Sequence, residues 1–363
     1  MKTIVIVFGG DKNGGAEQVL KNLATYLFEH QYNVIAVSAF PRQQGFWDDF
    51  KGKIIYTSPK FKHFNPFHLT QILFRLSRTE NIDITISSFI FLNGILAVLK
   101  KLKILKTQKI VARESTNYFE RTEVKYQRLY NFFFNGYRFS DLIICQTNQM
   151  QRQFLQHVKF VDKKKVMVIP NPIYLEKINT LANEVENEIS TFKKYIVACG
   201  RLKNFKGFDV LLNAYLQNKN LQQYNLVIVG DGPQKHFLQQ VAGDLLNKKI
   251  FFVGYKKNPF PYFKHAAACV LCSLHEGFPN TLLQMMALNN VVVSTLCADG
   301  IEVIKGLFTC KINDVESLST ALEGCISLPT QSNSRALFDE YLQQRSFENF
   351  MRQICEALEI DVH

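Results

Sequence analysis

No stretch of the 363 residues approaches the roughly 18 consecutive apolar positions that a membrane-crossing helix needs. The opening MKTIVIVFGG has an apolar run of only about five residues and no small-residue cleavage site behind it, which argues against a secretory leader. Cysteine occurs eight times but without pattern. Positions 145, 199, 269, 272, 297, 310, 325 and 355 are scattered through apolar segments, the setting of small buried hydrophobes rather than of a disulfide framework. Cys269 and Cys272 make one C-x-x-C, yet no second pair stands at zinc-ligand spacing and both fall in a predicted strand, so neither metal nor redox chemistry is expected there. A reducing, cytoplasmic setting is expected. Internal repeats, low-complexity runs and nucleic-acid-binding motifs are missing too, and no nucleic acid partner is expected. Acidic charge is scarce in one half only. Residues 1–170 hold 25 Lys+Arg against 12 Asp+Glu, while the remainder holds 18 against 19, so the positive excess lies entirely in the first half. That asymmetry predicts an anionic partner for the first half, to be weighed against a merely solvated surface.

What is present is a repeated alternation of short apolar runs with helically spaced ones. Residues 3–8 read as a buried strand, 9–15 as a glycine-rich loop, 16–28 as a helix carrying Val19, Leu20, Leu23, Ala24 and Leu27, and 34–37 as a second strand. Further strands are predicted at 82–87, 110–112, 142–145, 166–169, 195–199, 226–229, 250–254, 268–272 and 291–294. Residues 45–75 read as irregular, with lysines among phenylalanines. The aromatic cluster Tyr126, Tyr130, Phe132, Phe133, Phe134 and Tyr137 has helical spacing, which predicts core packing for about half and leaves the rest for a lipid tail. Pro170-Asn171-Pro172 closes a first domain, and 173–193, with Glu184, Glu186 and Glu188, reads as a polar linker. Alternation of this kind predicts an α/β protein with parallel sheets.

Three loops carry candidate chemistry. Gly14-Gly15-Ala16-Glu17 follows the first strand without completing either a G-x-G-x-x-G or a Walker A pattern. Gly200-Arg201-Leu202-Lys203-Asn204-Phe205-Lys206-Gly207 follows the strand at 195–199 and offers two cations, a planar fork and a point charge, suited to a diphosphate. Glu276-Gly277-Phe278-Pro279-Asn280-Thr281 follows the strand at 268–272. There Gly277 permits an unusual backbone turn, Pro279 suits the first turn of a helix, and the carboxylate faces the N–H groups of a helix start. The ends of parallel strands are where such sheets bind ligands. The plain alternatives are a solvated basic loop and a solvated glutamate.

The three loops together resemble glycosyltransferase family 4, whose members are retaining enzymes of the GT-B fold, two Rossmann-like domains facing a cleft. The resemblance is to the family's G-R-x4-K-G motif at Gly200–Gly207 and its E-x7-E segment at Glu276, where the second glutamate is replaced by Gln284, a neutral amide. It implies that Arg201 and Lys206 grip the donor's phosphates and that Glu276 lies by the donor sugar, both catalytic. It places Gly14, Gly15, Gly200, Tyr255, Gly277, Phe278, Pro279, Asn280, Thr281 and Gln284 around the donor. Glu114 stands where many members carry a histidine beside the reacting sugar and is the fourth catalytic candidate. The family likeness assigns residues 1–172 to an acceptor domain, with a terminal helix in 341–363 packing back onto it, and 194–340 to a donor domain.

The expected function is transfer of a sugar, with retention, from a nucleotide sugar, a UDP sugar before GDP or ADP. The acceptor is a glycan or lipid-linked glycan in surface polysaccharide or glycoconjugate synthesis. Cofactors are none, since the nucleotide sugar is a substrate and no Asp-x-Asp calls for a divalent metal. An anionic membrane surface is the expected further partner, through Lys100, Lys101, Lys103 and Lys106 around Leu102, Ile104 and Leu105, peripheral on the inner face. The other readings are a nucleotide-sugar-binding partner with little activity of its own and a GT-B-type epimerase.

Overall fold

The computed structural model describes residues 2–11, 14–60, 63–116, 119, 130–327 and 334–361. The chain divides into two units, Met1–Pro172 with Phe347–His363, and Ile173–Ser346. Each is built on one all-parallel sheet, an α/β architecture of Rossmann type in both halves.

In the first unit the strands are β1 (Thr3–Phe8), β2 (Asn33–Ser38), β3 (Lys53–Ile55), β4 (Ile82–Ser87), β5 (Thr107–Arg113), β6 (Leu142–Cys145) and β7 (Val166–Val168), in the order β3-β2-β1-β4-β5-β6-β7. Every residue of β1 is buried, as expected of a central parallel strand covered on both faces. Helices Pro66–Thr79 and Ile90–Lys101 cover one part of the sheet through Leu69, Leu73, Leu92 and Leu96 packed on Val5, Val7 and Ile35. The stretch 45–75 is only partly irregular. It contains β3 and a helix whose start is marked by Asn65, which accepts a hydrogen bond from His68 N at 3.1 Å, and by Pro66 in the first turn. The helix Phe347–Leu358 belongs to this unit, burying Phe347, Phe350, Met351, Ile354 and Leu358 and stacking Phe347 on Tyr26.

In the second unit the strands are β8 (Tyr195–Cys199), β9 (Asn225–Val229), β10 (Ile250–Gly254), β11 (Ala268–Leu271), β12 (Val292–Thr295) and β13 (Phe308–Cys310), ordered β10-β9-β8-β11-β12-β13. Tyr195 and Val197 pack into one core cluster, Ile196 and Ala198 into another on the opposite face. This is the period-two alternation of a strand buried on both sides. Residues 173–193 are not a free linker. Helix Leu175–Leu181 and the turn Asn187–Phe192 put Ile173, Ile178, Ala182 and Phe192 into the first of these clusters, because their apolar side chains are spaced to cover the sheet. The strand order makes a topological switch point between β8 and β11, the place where loops leaving adjacent strands diverge to opposite faces.

Candidate active site

The two loops that leave β8 and β11 meet at that switch point. The first runs from Gly200 through a short 3-10 turn, Asn204–Lys206, into helix Phe208–Gln217. The second runs from Cys272 to helix Asn280–Leu288. They are laced together by Leu274 N donating to Phe205 O at 2.8 Å and by the Cys272 thiol donating to Lys206 O at 3.2 Å. Gly207 has φ of +64°, and a Cβ there would stand 2.1 Å from the Cys272 carbonyl oxygen, so both the left-handed backbone and the close approach require glycine. Gly230, at the end of β9, is held in the same way against the Gly200 carbonyl, 1.9 Å from where its Cβ would be.

This packing brings Lys206 and Glu276 together. Lys206 Nζ donates to Glu276 Oε1 at 2.5 Å, and the Ser273 hydroxyl donates to the same oxygen at 2.9 Å. The two side chains remain 19% and 15% exposed, enough to reach a ligand and enough burial to strengthen their attraction over a surface pair. Glu276 N donates to Cys297 O at 2.9 Å, which fixes the start of the turn to the loop after β12. Cys199 and Cys297 are held by burial up at about 12, so these thiols are protonated and unreactive at neutral pH.

The other candidates fall around this pair in different ways. Gly200 and Gly277 are half-buried in their loops, and Arg201 is exposed. Asn280 and Thr281 open the helix Asn280–Leu288, whose start has no side-chain cap, while Pro279 precedes it and is buried. Tyr255, 57% exposed, lies just beyond β10. Two further donor candidates are enclosed. Gln284 is 8% exposed, and the ring of Phe278 is 6% exposed in the core cluster, with the Arg345 guanidinium 4.5 Å from its centroid. Ser273, Cys297 and Arg345 carry no sequence signal that reading the motifs would have caught.

Gly14, Gly15 and Glu114 belong to the first unit. Gly14 is the extended residue before helix Gly15–Glu29 at the exit of β1, and its carbonyl accepts from Gln18 N at 2.8 Å. Glu114, just past β5, is 4% exposed rather than open to solvent. Its Oε1 accepts from Tyr137 Oη at 2.5 Å and from Asn93 Nδ2 at 3.3 Å. Burial raises its carboxyl to about 7, against the opposing pull of those two hydrogen bonds and the charge of Arg113. Arg113 is itself buried, lowered to about 10 by desolvation, and donates to Ser88 Oγ at 3.2 Å and Asn171 Oδ1 at 2.5 Å. Asn93 closes the network by donating to Tyr137 Oη at 2.8 Å and to Arg113 O at 3.2 Å. Of this set only Glu114 was a site candidate in the sequence, where Tyr137 was read as one of an aromatic cluster and Asn171 as part of a domain boundary.

The basic stretch 100–106 differs from its expected form. Lys100 is tied to Asp141 at 2.5 Å and to Gln108 O at 2.7 Å, and Leu105 is 1% exposed in the core with Ile104 packed against it. The apolar side of this stretch faces inward, leaving Leu102 exposed. Among the exposed aromatic side chains are two on helix Pro66–Thr79, where Phe67 is 81% and Phe74 43% exposed beside Arg75 and Arg78. In the aromatic cluster Phe134 and Tyr137 are buried, Phe132 is 70% exposed, and Tyr126 lies outside the described residues. Among the described residues no helix is long and apolar enough to cross a membrane, and no group of three or more His, Cys, Asp or Glu could hold a metal ion.

Two family models match the chain, Glycosyltransferase Family 4 over residues 13–177 and Glycosyl transferases group 1 over residues 193–327. An uncharacterized glycosyltransferase of Methanocaldococcus jannaschii is 33% identical over 47% of this chain and 43% of its own length. A Campylobacter jejuni enzyme named as a diphospho-undecaprenol 4-alpha-N-acetylgalactosaminyltransferase is 28% identical over 61% of this chain and 60% of its own. The alignment thus spans about half the length of these two relatives. Anabaena HepE, solved in complex with UDP-glucose, superposes with a TM-score of 0.79 at 18% identity, covering 99% of this chain and 100% of that one, and shares the fold.

Proposed function

We propose that this chain, a glycosyltransferase similar to family 4 with the two-Rossmann-unit GT-B fold, moves a sugar from a UDP sugar to a glycan or lipid-linked acceptor, with retention and without a divalent metal. The observation that carries this is the Lys206–Glu276 contact at the switch point between β8 and β11. It sets a cation and a carboxylate beside the uncapped start of helix Asn280–Leu288, a place suited to phosphate. In the proposed reaction Lys206 turns its ammonium toward the diphosphate as negative charge develops on the leaving group, and Arg201 adds a second cation from the rim. Glu276, held in place by Ser273, orients a hydroxyl of the donor sugar. The acceptor hydroxyl attacks on the face from which the diphosphate departs, so no enzyme carboxylate forms a covalent bond.

The names of relatives that act on undecaprenol-linked glycans, such as the Campylobacter enzyme, support a lipid-linked acceptor. A lipid-borne acceptor requires an approach to a membrane surface. Helix Pro66–Thr79 has no acidic residue and exposes Phe67, Phe74, Arg75 and Arg78, chemistry that fits an anionic interface. The direct test is incubation of the purified protein with a panel of UDP sugars and undecaprenol-diphosphate-linked acceptors, with and without EDTA, reading UDP release and the anomeric configuration of the product. UDP release with an inverted product would overturn retention, loss of activity in EDTA would overturn metal independence, and no transfer across the panel would leave the binding-partner reading.

A further inference from the structure

Arg345 stands where the second unit ends. Its carbonyl accepts from Ile173 N at 2.8 Å, so the two places where the chain passes between units, after 172 and after 346, are tied by one backbone hydrogen bond within the second unit. Its guanidinium lies 4.5 Å from the ring centroid of Phe278 and 4.5 Å from that of Tyr341, and donates to the Tyr341 hydroxyl. Nη1 is buried without a hydrogen-bond partner, and among the described residues no carboxylate supports the charge. Burial without an anion pushes this group below the ordinary arginine range.

A half-buried cation without an anion costs stability, and its contact with two rings returns only part of it. An unbranched apolar side chain of similar length would fill the same space without that cost. What only the flat guanidinium supplies is a rigid plate against Phe278. That ring lies two residues after Glu276 and two before the first residue of helix Asn280–Leu288, so holding it fixes the turn between them.

We propose that Arg345 is a positioning residue for the donor site, coupling the paired chain crossings to the Glu276–Thr281 turn through its stack on Phe278. The proposal rests on the reading of that turn as the donor site. It makes donor affinity sensitive to a residue that reaches the donor candidates through the ring of Phe278.

The test uses the full chain carrying Arg345→Met, Arg345→Lys, Phe278→Leu and the double variant Arg345→Met with Phe278→Leu. Three readouts are taken: UDP affinity by calorimetry, the thermal midpoint without ligand, and amide hydrogen exchange of the segment 276–282. Arg345→Met is expected to weaken UDP binding about tenfold, the scale of one desolvated cation–ring contact, with an unchanged or higher thermal midpoint. Exchange in 276–282 should rise while the rest of the second unit keeps its protection. Arg345→Lys should restore little, having charge without a plane, and the double variant should bind no worse than the weaker single one. Wild-type affinity and exchange in Arg345→Met would overturn the proposal. So would a loss of affinity matched by a lower midpoint and by faster exchange throughout the unit, the signature of general destabilisation. If the wild type itself binds no UDP, the donor-site reading fails, and the exchange measurement still decides whether Arg345 holds the turn.

Discussion

Lys206 and Glu276 sit at contact distance, so in the proposed reaction the ammonium has only to turn from the carboxylate to meet the diphosphate. Lys206→Ala should lower kcat/KM by roughly 10²–10³, the loss typical of one charge-stabilising donor, with Glu276 still held by Ser273. Unchanged turnover in that variant would remove Lys206 from the reaction. Glu114 makes a different prediction. Its folded-state carboxyl is raised to about 7 from an ordinary 4.5, so in the window between these values the unfolded chain has lost the proton and the folded one has kept it. Stability must then fall as pH rises from about 4.5 to about 7 and level off above, by a few kcal/mol at about 1.4 kcal/mol per unit. Glu114→Gln, which keeps an acceptor for Tyr137 and Asn93, should flatten that fall in urea titrations measured across the window. An identical pH dependence in the variant would show that the carboxyl does not titrate there. The same burial argues for Glu114 as a holder of the Asn93, Arg113 and Tyr137 network rather than as a group meeting substrate.

The elements that matter are two strand–loop–helix units interlocked through glycine. Gly207→Ala puts a side chain into left-handed backbone and 2.1 Å from a carbonyl oxygen that cannot give way. It should cost at least about 2 kcal/mol and shift the Lys206 ammonium, lowering both the thermal midpoint and UDP affinity. A variant of wild-type stability would show that the two loops are not locked there. Helix Pro66–Thr79 carries the membrane prediction. Replacing Phe67 and Phe74 by Ser should reduce co-sedimentation with anionic vesicles, and replacing Arg75 and Arg78 by Gln should make what remains insensitive to salt. Equal binding of wild type and variants, or binding to neutral vesicles alone, would move the docking surface elsewhere. Lys100, held by Asp141, is not expected to contribute.

At the scale of the molecule, each unit has its own sheet and its own apolar clusters, and only the second holds the Lys206–Glu276 pair. Calorimetry should therefore resolve two unfolding steps, with UDP raising only the step that belongs to residues 173–346. A UDP-induced rise in both steps would mean that the ligand engages the first unit as well. The fold class and three motif loops were legible in the sequence because they are local. Apolar runs buried on both faces, glycines after strands and an E-G-F-P-N-T turn are written in consecutive residues. Helix Pro66–Thr79 was legible in principle, from Asn65, Pro66 and the spacing of Leu69, Leu73 and Leu76, but the surrounding lysines and phenylalanines hid it. The membership of 173–193 in the second unit was not, since a polar stretch with a few spaced apolar residues reads equally as a linker until a sheet is present to receive them. What the tertiary structure alone decided is which distant groups share a site. Glu276 meets Lys206, 70 residues away in the chain, because parallel crossovers bring β8 beside β11. Phe278 meets Arg345 and Glu114 is enclosed by Asn93 and Tyr137 for the same reason: burial and charge pairing are set by packing between elements, and residues far apart in sequence acquire them only once the sheets are closed.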